Sequence, residues 1–517
     1  MTPEPISVTP DEIGAAPSTA GMTTKVVKGS IWTIAGQVAP MAVAFVATPF
    51  TIRSLGSEGY GVLILVGLIP TYFAFADLGM GVASTKFASE AHAVGDDLTE
   101  ARTVWSAATI ALATSLSVAF PLIVFAPKVI DVMNVSSTYH DTASFCLRLT
   151  AISFVLGILG TVLNTPMLTR LRMDLNTLTS TLPKVVVALL TPLLLYLGAG
   201  IDGVIVMSLI VVVLGTTFIF GTSVSQLKAL RAPSLDRNLI GPLLRFGCGW
   251  FVAMVAIILM GNLERLFVTK IVSVRALAFY SVAFTLASVA STLPTAMTQS
   301  LLPAFARLLK QERSEELRSL YLRTVRINLI CIMPIAAAGV LLAGPFFQRW
   351  AGLEFAENST VPFYVLLIGL ILNVAAYIPY AGLVAAGRTK VLSLVYFAEL
   401  IIYSVVAIVL ISRFGIVGAA IAWSTRVSID ALVLFVLARG TFGSVASVAR
   451  QARRILACAG VLLPALVSYF FLNAWLLTVV TAVVGFVLYI GLVWRFLLMK
   501  AEREWFNVRL IGYLRAQ

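Results

Sequence analysis

Apolar residues in this chain do not alternate with polar ones. They come in runs of about 20 residues, separated by short polar turns. At about 1.5 Å per residue, a helix of that length crosses the roughly 30 Å hydrocarbon core of a bilayer. The pattern predicts spans at about 29–52, 61–82, 104–126, 143–167, 177–197, 201–221, 245–268, 277–302, 327–348, 361–386, 389–412, 415–438, 453–473 and 475–498. A transmembrane β-barrel would need strict in/out alternation, which the runs lack. The reading is an all-α polytopic membrane protein of about 14 transmembrane helices.

Composition agrees. Of 517 residues, 59% are hydrophobic and 12% charged, and mean hydropathy is +0.97. A soluble domain carries about 25% charged residues. Residues 1–24 are rich in Pro, Ser, Thr and Ala and lack the basic-then-apolar build of a secretory signal. They are expected to form a disordered cytoplasmic tail.

The net charge of +13 first suggests an acidic partner such as nucleic acid. Topology accounts for it instead. With the N-terminus inside, 27 of the 37 Lys and Arg fall in cytoplasmic segments, seven outside and three within spans. That bias fixes N-in and C-in and calls for no nucleic-acid partner. The segments at 86–102, 226–245, 304–326 and 441–454 read as amphipathic linkers along the cytoplasmic interface. The outside gaps are short, so no soluble catalytic domain lies there.

Several positions recur at offsets of 215 to 221 residues. Arg53 matches Lys270, Tyr60 matches Tyr280, and Arg102-Thr-Val104 matches Arg323-Thr-Val325. Arg172 matches Arg388, and Gly200-Ile-Asp-Gly203 matches Gly415-Ile-Val-Gly418. Order and spacing point to a 6+6 duplication in which both copies have one orientation, as in parallel-repeat transporters. The expected plan is an N-lobe at 25–225 (TM1–6), a cytoplasmic linker at 226–244 and a C-lobe at 245–440 (TM7–12). Helices TM13–14 follow at 441–500, and a cytoplasmic tail at 501–517. Two such lobes would enclose a cavity near the bilayer midplane and alternate its access.

Ionisable residues inside spans are costly unless they face a partner or a cavity, so they are the site candidates. Lys184, Glu399 and Arg426 sit near mid-depth, and Asp430 lies one turn from Arg426 on the same face. Glu264-Arg265, Asp77 and Arg148 lie near span ends, and Arg53 at an outer end. Arg426 and Asp430 read either as a self-neutralising pair or as part of a site. In the second case Arg426 and Lys184 hold an anionic group. Glu399 reads either as a hydrogen-bonded carboxyl or as a coupling carboxylate. Asp77 and Glu264 could simply be solvated or capping.

Other chemistry is not indicated. The four cysteines (146, 248, 331 and 458) are scattered and show no C-x-x-C, which suits small core residues. His92 and His140 have no ligand-spaced partners, and no H-E-x-x-H or G-x-S-x-G occurs. Gly382…Gly387-Arg388-Thr389 lacks the lysine and the preceding strand of a phosphate loop. No cofactor, metal or ATP site is expected. An ion gradient, the membrane potential or the substrate's own gradient must then drive any transport.

Lys28-Gly-Ser, the Arg53-Ser-Leu-Gly56…Glu58-Gly-Tyr60 turn and Ala76-Asp77-Leu-Gly79 resemble the N-terminal half of the polysaccharide flippases. Asn262-Leu-Glu264-Arg265, Tyr280, Gly387-Arg388 and Gly415-Ile-Val-Gly418 resemble that family's second half. The family belongs to the multidrug/oligosaccharidyl-lipid/polysaccharide exporter superfamily, and the resemblance covers about residues 25–500. It departs at Glu264-Arg265, where the family often carries Asp-Arg; the charge is kept. The resemblance implies translocation of an undecaprenyl-diphosphate-linked oligosaccharide to the periplasmic leaflet of a bacterial inner membrane. It also implies a central cationic cavity, for which Lys184, Arg426, Arg148, Arg265 and Arg53 are the candidates. Glu399, Asp430, Asp77 and Glu264 are then coupling or counter-charge candidates. Partners implied are the lipid-linked oligosaccharide, membrane lipids and a polysaccharide polymerase or chain-length machinery. Two alternatives stand beside this: a multidrug/cation antiporter, which expects a carboxylate-dominated cavity, and a membrane glycan polymerase or ligase, which expects a long outer loop.

Overall fold

Two of the helices are 50 residues long, and each is broken by one glycine. At about 1.5 Å per residue, a straight helix of that length would be more than twice as long as a bilayer core is thick. The first, α1 (Thr19–Leu68), loses helical geometry at Gly56, with φ 69° and ψ 178°. Its counterpart Thr389–Ala438 does so at Gly415, with φ 58° and ψ −134°. L-residues rarely adopt such φ values, and glycine does so without a Cβ clash. Each break falls between two predicted spans.

The computed structural model describes residues 19–472, 475–499 and 502–504. Most of the expected N-terminal and C-terminal tails lies outside the described residues. No strand occurs among the described residues. After α1 come α2 (Met80–Ala93), α3 (Asp97–Val124), α4 (His140–Leu163), α5 (Met173–Tyr196) and α6 (Gly200–Gln226). They are followed by α7 (Arg237–Ile271), α8 (Val274–Val289), α9 (Thr292–Lys310) and α10 (Ser314–Trp350). The remainder are α11 (Leu353–Ala385), α12 (Thr389–Ala438), α13 (Val445–Ala459) and α14 (Trp475–Leu492). Ten helical stretches among the described residues are long and apolar enough to cross a membrane. The protein is therefore a multi-pass membrane protein.

Several predicted spans are not continuous helices, and three of the breaks have a clear local cause. In the second, Pro70 opens a 3-10 stretch (Ile69–Asp77), and the chain then breaks at Leu78 and Gly79, with φ 48° and 70°. A proline at the start of a turn removes an N–H that an α-helix would use. Predicted span 277–302 divides into α8 and α9 at Ala290–Ser291, where Ser288 and Ser291 donate back to backbone carbonyls. Predicted span 453–473 divides into α13 and a short helix, Leu463–Val467, that carries Pro464 at its start.

The chain forms two compact units. The first holds the chain up to Ser54, Val66–Pro127 and Asp141–Met254. The second holds Leu55–Leu65, Lys128–His140 and the chain from Val255 onward.

In the first unit a core of small and aliphatic residues forms around Met80, Val104, Ala107, Ala111, Val162 and Leu243. Small side chains let backbones approach closely, the usual basis of helix packing in a bilayer. A Cβ added to Gly247 of α7 would lie 2.1 Å from the Leu78 carbonyl oxygen. Outside the spans, Asp96 caps α3 by accepting the Thr99 N–H at 2.9 Å. Hydrogen bonds from Thr99, side chain first and backbone second, hold its carboxylate below the usual range. In this unit Glu100, wholly buried, accepts two bonds from Arg170 at 2.5 and 3.1 Å and one from Thr169 at 3.0 Å.

In the second unit α11 packs against α12 and α10, with Leu366, Val374 and Ile378 wholly buried. The C-terminal segment is tied to α10 through Glu502. Its Oε1 accepts from Arg326 at 2.6 Å and Arg323 at 2.7 Å, and its Oε2 accepts the Met499 N–H at 2.8 Å. Arg326 and Glu502 are both nearly inaccessible to solvent, so the pair is a buried one.

Candidate functional site

Four helices of the second unit build one cluster, to which two of them bring charge. Glu264 and Arg265 come from α7, and Tyr280 and Phe284 from α8. Asn373, Tyr377 and Tyr380 come from α11. Tyr396, Glu399, Tyr403, Arg426 and Asp430 come from α12. On α12 the order Tyr396, Glu399, Tyr403 follows the spacing i, i+3, i+7, which places the three on one face. Arg426 and Asp430, four apart, share a face as well.

The contacts are specific. The Tyr403 hydroxyl donates to Glu264 Oε2 at 2.8 Å, and Glu264 is wholly buried. The Arg426 guanidinium lies 5.4 Å from the centre of the Tyr403 ring. The Arg265 guanidinium lies 4.7 Å from the Phe284 ring, which meets Trp423 edge-on at 5.5 Å. Aromatic faces attract cations, so these rings hold the guanidinium groups by their flat sides.

Several charged atoms of the cluster are left over. Glu264 Oε1, Arg265 Nε, Arg426 Nε, Asp430 Oδ1 and both oxygens of Glu399 are buried without a hydrogen-bond partner among the described residues. Buried polar atoms are almost always satisfied, and charges within apolar helices especially so. These atoms make the cluster the candidate site. Beside it lies a cavity of about 350 Å³, lined on its polar side by Asn373, Tyr377, Tyr380, Tyr396, Arg426 and Asp430.

Five of the sequence candidates therefore meet in one place: Glu264, Arg265, Glu399, Arg426 and Asp430. The other four belong to the first unit. Lys184 is exposed on α5 and makes no ion pair among the described residues. Arg148 is exposed on α4, and Arg53 on α1. Asp77 is partly buried; its Oδ2 accepts the Gly81 N–H at 3.4 Å, and its Oδ1 is buried without a partner.

Sequence reasoning missed the tyrosines as site residues. Tyr280 served only as a mark of the repeat and of the family resemblance. The usable signal was Tyr396 and Tyr403 flanking a carboxyl on one helix face. The Glu100–Arg170 pair was also missed, since Glu100 reads as one more charge of an amphipathic linker. His92, Asp97 and Glu100 place ligand atoms within 4.8 Å of one another. Arg170 engages both Glu100 oxygens, which makes this an ion-pair centre.

Apolar helices enclosing a buried charged cluster and an adjoining cavity are the build of a membrane transporter. A family model described as polysaccharide biosynthesis protein matches residues 53–359, more than half of the chain, and the chain belongs to that family. It is 24% identical over 421 residues to a Shigella flexneri protein named "Putative O-antigen transporter", covering 79% of this chain and 96% of that one. Two solved structures share the fold. The lipid II flippase MurJ, in an inward closed conformation, aligns with TM-score 0.70 at 12% identity over 90% of this chain and 98% of its own. An inward-facing multidrug resistance MATE family transporter of the MOP superfamily aligns with TM-score 0.68 at 14% identity over 81% and 99%. The fold is that of these transporters, carried by a multi-pass member of the polysaccharide biosynthesis family.

Proposed function

We propose that this protein moves an undecaprenyl-diphosphate-linked oligosaccharide from the cytoplasmic to the periplasmic leaflet of a bacterial inner membrane. The product would feed surface or exopolysaccharide synthesis, with a polymerase or chain-length machinery downstream. The observation that carries this is the cluster of orphaned charged atoms beside the 350 Å³ cavity of the second unit, within helices otherwise apolar. Family membership and the relative named for O-antigen transport support the substrate class.

The roles follow from the chemistry of the groups. Arg426 and Lys184 suit an anionic lipid headgroup, since guanidinium and ammonium groups are the usual phosphate partners. Glu399 and Asp430 carry carboxyl oxygens free to take a proton or a small cation, which suits coupling to an ion gradient or to the membrane potential.

The 6+6 plan of fourteen helices, N-in and C-in, belongs to this proposal too. Matched positions adopt matched conformations, which supports it. Gly200 and Gly415 both have positive φ, 64° and 58°. Leu171 and Gly387 do as well, 53° and 72°, and each precedes an arginine, Arg172 or Arg388, at a helix N-cap.

The test is a deletion strain. Undecaprenyl-linked saccharide should accumulate and be accessible only from the cytoplasmic side. Normal export of every surface glycan in that strain would sink the proposal.

A second reading has one specific observation behind it. The cluster sets three carboxyl groups (Glu264, Glu399, Asp430) against two guanidinium groups (Arg265, Arg426). A multidrug/cation antiporter would use such a balance. Dye-efflux resistance on expression, with no effect on glycan export, would favour it.

A further inference from the structure

The cavity of the second unit has a chemistry that the diphosphate alone does not explain. Three tyrosines, Tyr377, Tyr380 and Tyr396, form much of its wall, with Asn373, Arg426 and Asp430 among them. Tyr380 and Tyr396 hold their ring centres 6.5 Å apart at 30° to each other, a tilted aromatic pair that forms one part of the cavity wall. Asp430 is 8% exposed, lines the cavity, and keeps Oδ1 without a hydrogen-bond partner among the described residues.

A diphosphate alone would use little of this wall. It can engage Arg426, but the tyrosine faces offer it no cation, and the Asp430 carboxyl faces the same space. Like charges in a low-dielectric setting repel strongly. A sugar ring meets the same wall differently. Its C–H faces are apolar and slightly positive, which suits the electron-rich face of a tyrosine ring. Its rim of hydroxyl groups needs acceptors and donors in equal measure. Asp430 accepts, Arg426 donates, and an asparagine amide or a tyrosine hydroxyl does both. A cavity of about 350 Å³ falls at the small end of ligand pockets, which run to about 300–1,000 Å³. That suits a sugar ring and not a long oligosaccharide.

We propose that this cavity is a saccharide subsite. It takes a sugar ring of the lipid-linked headgroup between the tyrosines and Asp430, and leaves the diphosphate at the Arg426 edge. The inference rests on the flippase reading above and sharpens it, because it assigns the second unit's cavity to the sugar and to discrimination among sugars. A site that pairs hydroxyls with buried acceptors rejects rings that lack those hydroxyls.

The test uses the full-length protein in lipid nanodiscs and two probes. One is the lipid-linked saccharide extracted from the deletion strain. The other is undecaprenyl diphosphate, which has the same tail and a free terminal phosphate in place of the sugar. The wild type should bind the saccharide lipid at least about tenfold more tightly, in line with one well-made polar pocket. Tyr380→Ala and Tyr396→Ala should lower saccharide binding about tenfold while leaving undecaprenyl diphosphate binding unchanged. Tyr396→Phe keeps the ring face and should retain most of the affinity. Tyr377→Leu, which disturbs volume less, provides a second variant should an alanine variant fail to fold. Equal binding of both probes by the wild type would overturn the subsite while leaving the flippase reading intact. So would tyrosine variants that weaken both probes alike. Binding of neither probe would remove the flippase reading, and this inference with it.

Discussion

The Tyr403 hydroxyl reaches Glu264 Oε2 at 2.8 Å, joining α12 to α7 through a carboxyl with no exposure to solvent. Tyr403→Phe keeps the ring under Arg426 but removes the donor, leaving a second orphaned oxygen on Glu264. Stranding a buried acceptor costs about 1–3 kcal/mol. The variant should show a lower unfolding temperature in detergent and reduced glycan export. An unchanged unfolding temperature would mean that the bond contributes little.

Arg426→Ala and Lys184→Ala should each abolish glycan export while the protein still accumulates in the membrane. Arg426→Lys should restore little, because an ammonium cannot reproduce the flat guanidinium over the Tyr403 ring. The readouts are surface glycan on an immunoblot and protein abundance in the membrane fraction. Wild-type export in both alanine variants would exclude these cations from the transport path.

Glu399→Gln removes a titratable group whose two oxygens are unpartnered among the described residues. Transport in inverted vesicles should then lose its response to an imposed pH or sodium gradient, while substrate binding persists. A variant that responds to both gradients as the wild type does would remove Glu399 from coupling.

Glu100 and Arg170 should behave as one unit. Removing one partner of a buried pair leaves a charge uncompensated, at about 3–5 kcal/mol. Glu100→Ala should therefore strongly reduce accumulation of folded protein. The double variant Glu100→Leu with Arg170→Met should recover much of it. Thermal unfolding of the wild type, both single variants and the double variant measures the coupling, and additive losses would show that the two do not act together.

A comparable loss is expected at the C-terminal clasp. Glu502→Ala leaves Arg326 buried and unpaired, and should open the segment after Leu498 to limited proteolysis. A protease pattern identical to that of the wild type would show that the clasp is not what holds this segment.

The helices were legible in the sequence because apolar runs of membrane length leave few alternatives. The interruptions were less so. Pro70 and Pro464 were visible, but a proline within a span gives no sign whether the helix bends or restarts; the packing around it decides. Arg426, Asp430, Glu399, Glu264 and Arg265 were legible as candidates because a charge in an apolar span is expensive wherever it sits. The tyrosines were not. A tyrosine is equally at home in a core, at an interface or in a site, and only the fold brings Tyr380 of α11 beside Tyr396 of α12. Glu100 stayed hidden for the opposite reason, since its linker is charged throughout and nothing local distinguishes the one carboxylate that is buried.

The glycine corners carry a practical consequence for anyone who maps this protein by fusion. Gly56 and Gly415 each break a long helix with no connecting loop. A Cβ at Gly418, three residues beyond the second corner, would stand 2.0 Å from the Leu410 carbonyl oxygen. An epitope tag or reporter inserted at either corner would split two packed helices and report a topology of its own making. Insertions belong instead near Gly95 or Gly440, where the chain leaves its helices and a glycine with positive φ has open space around it.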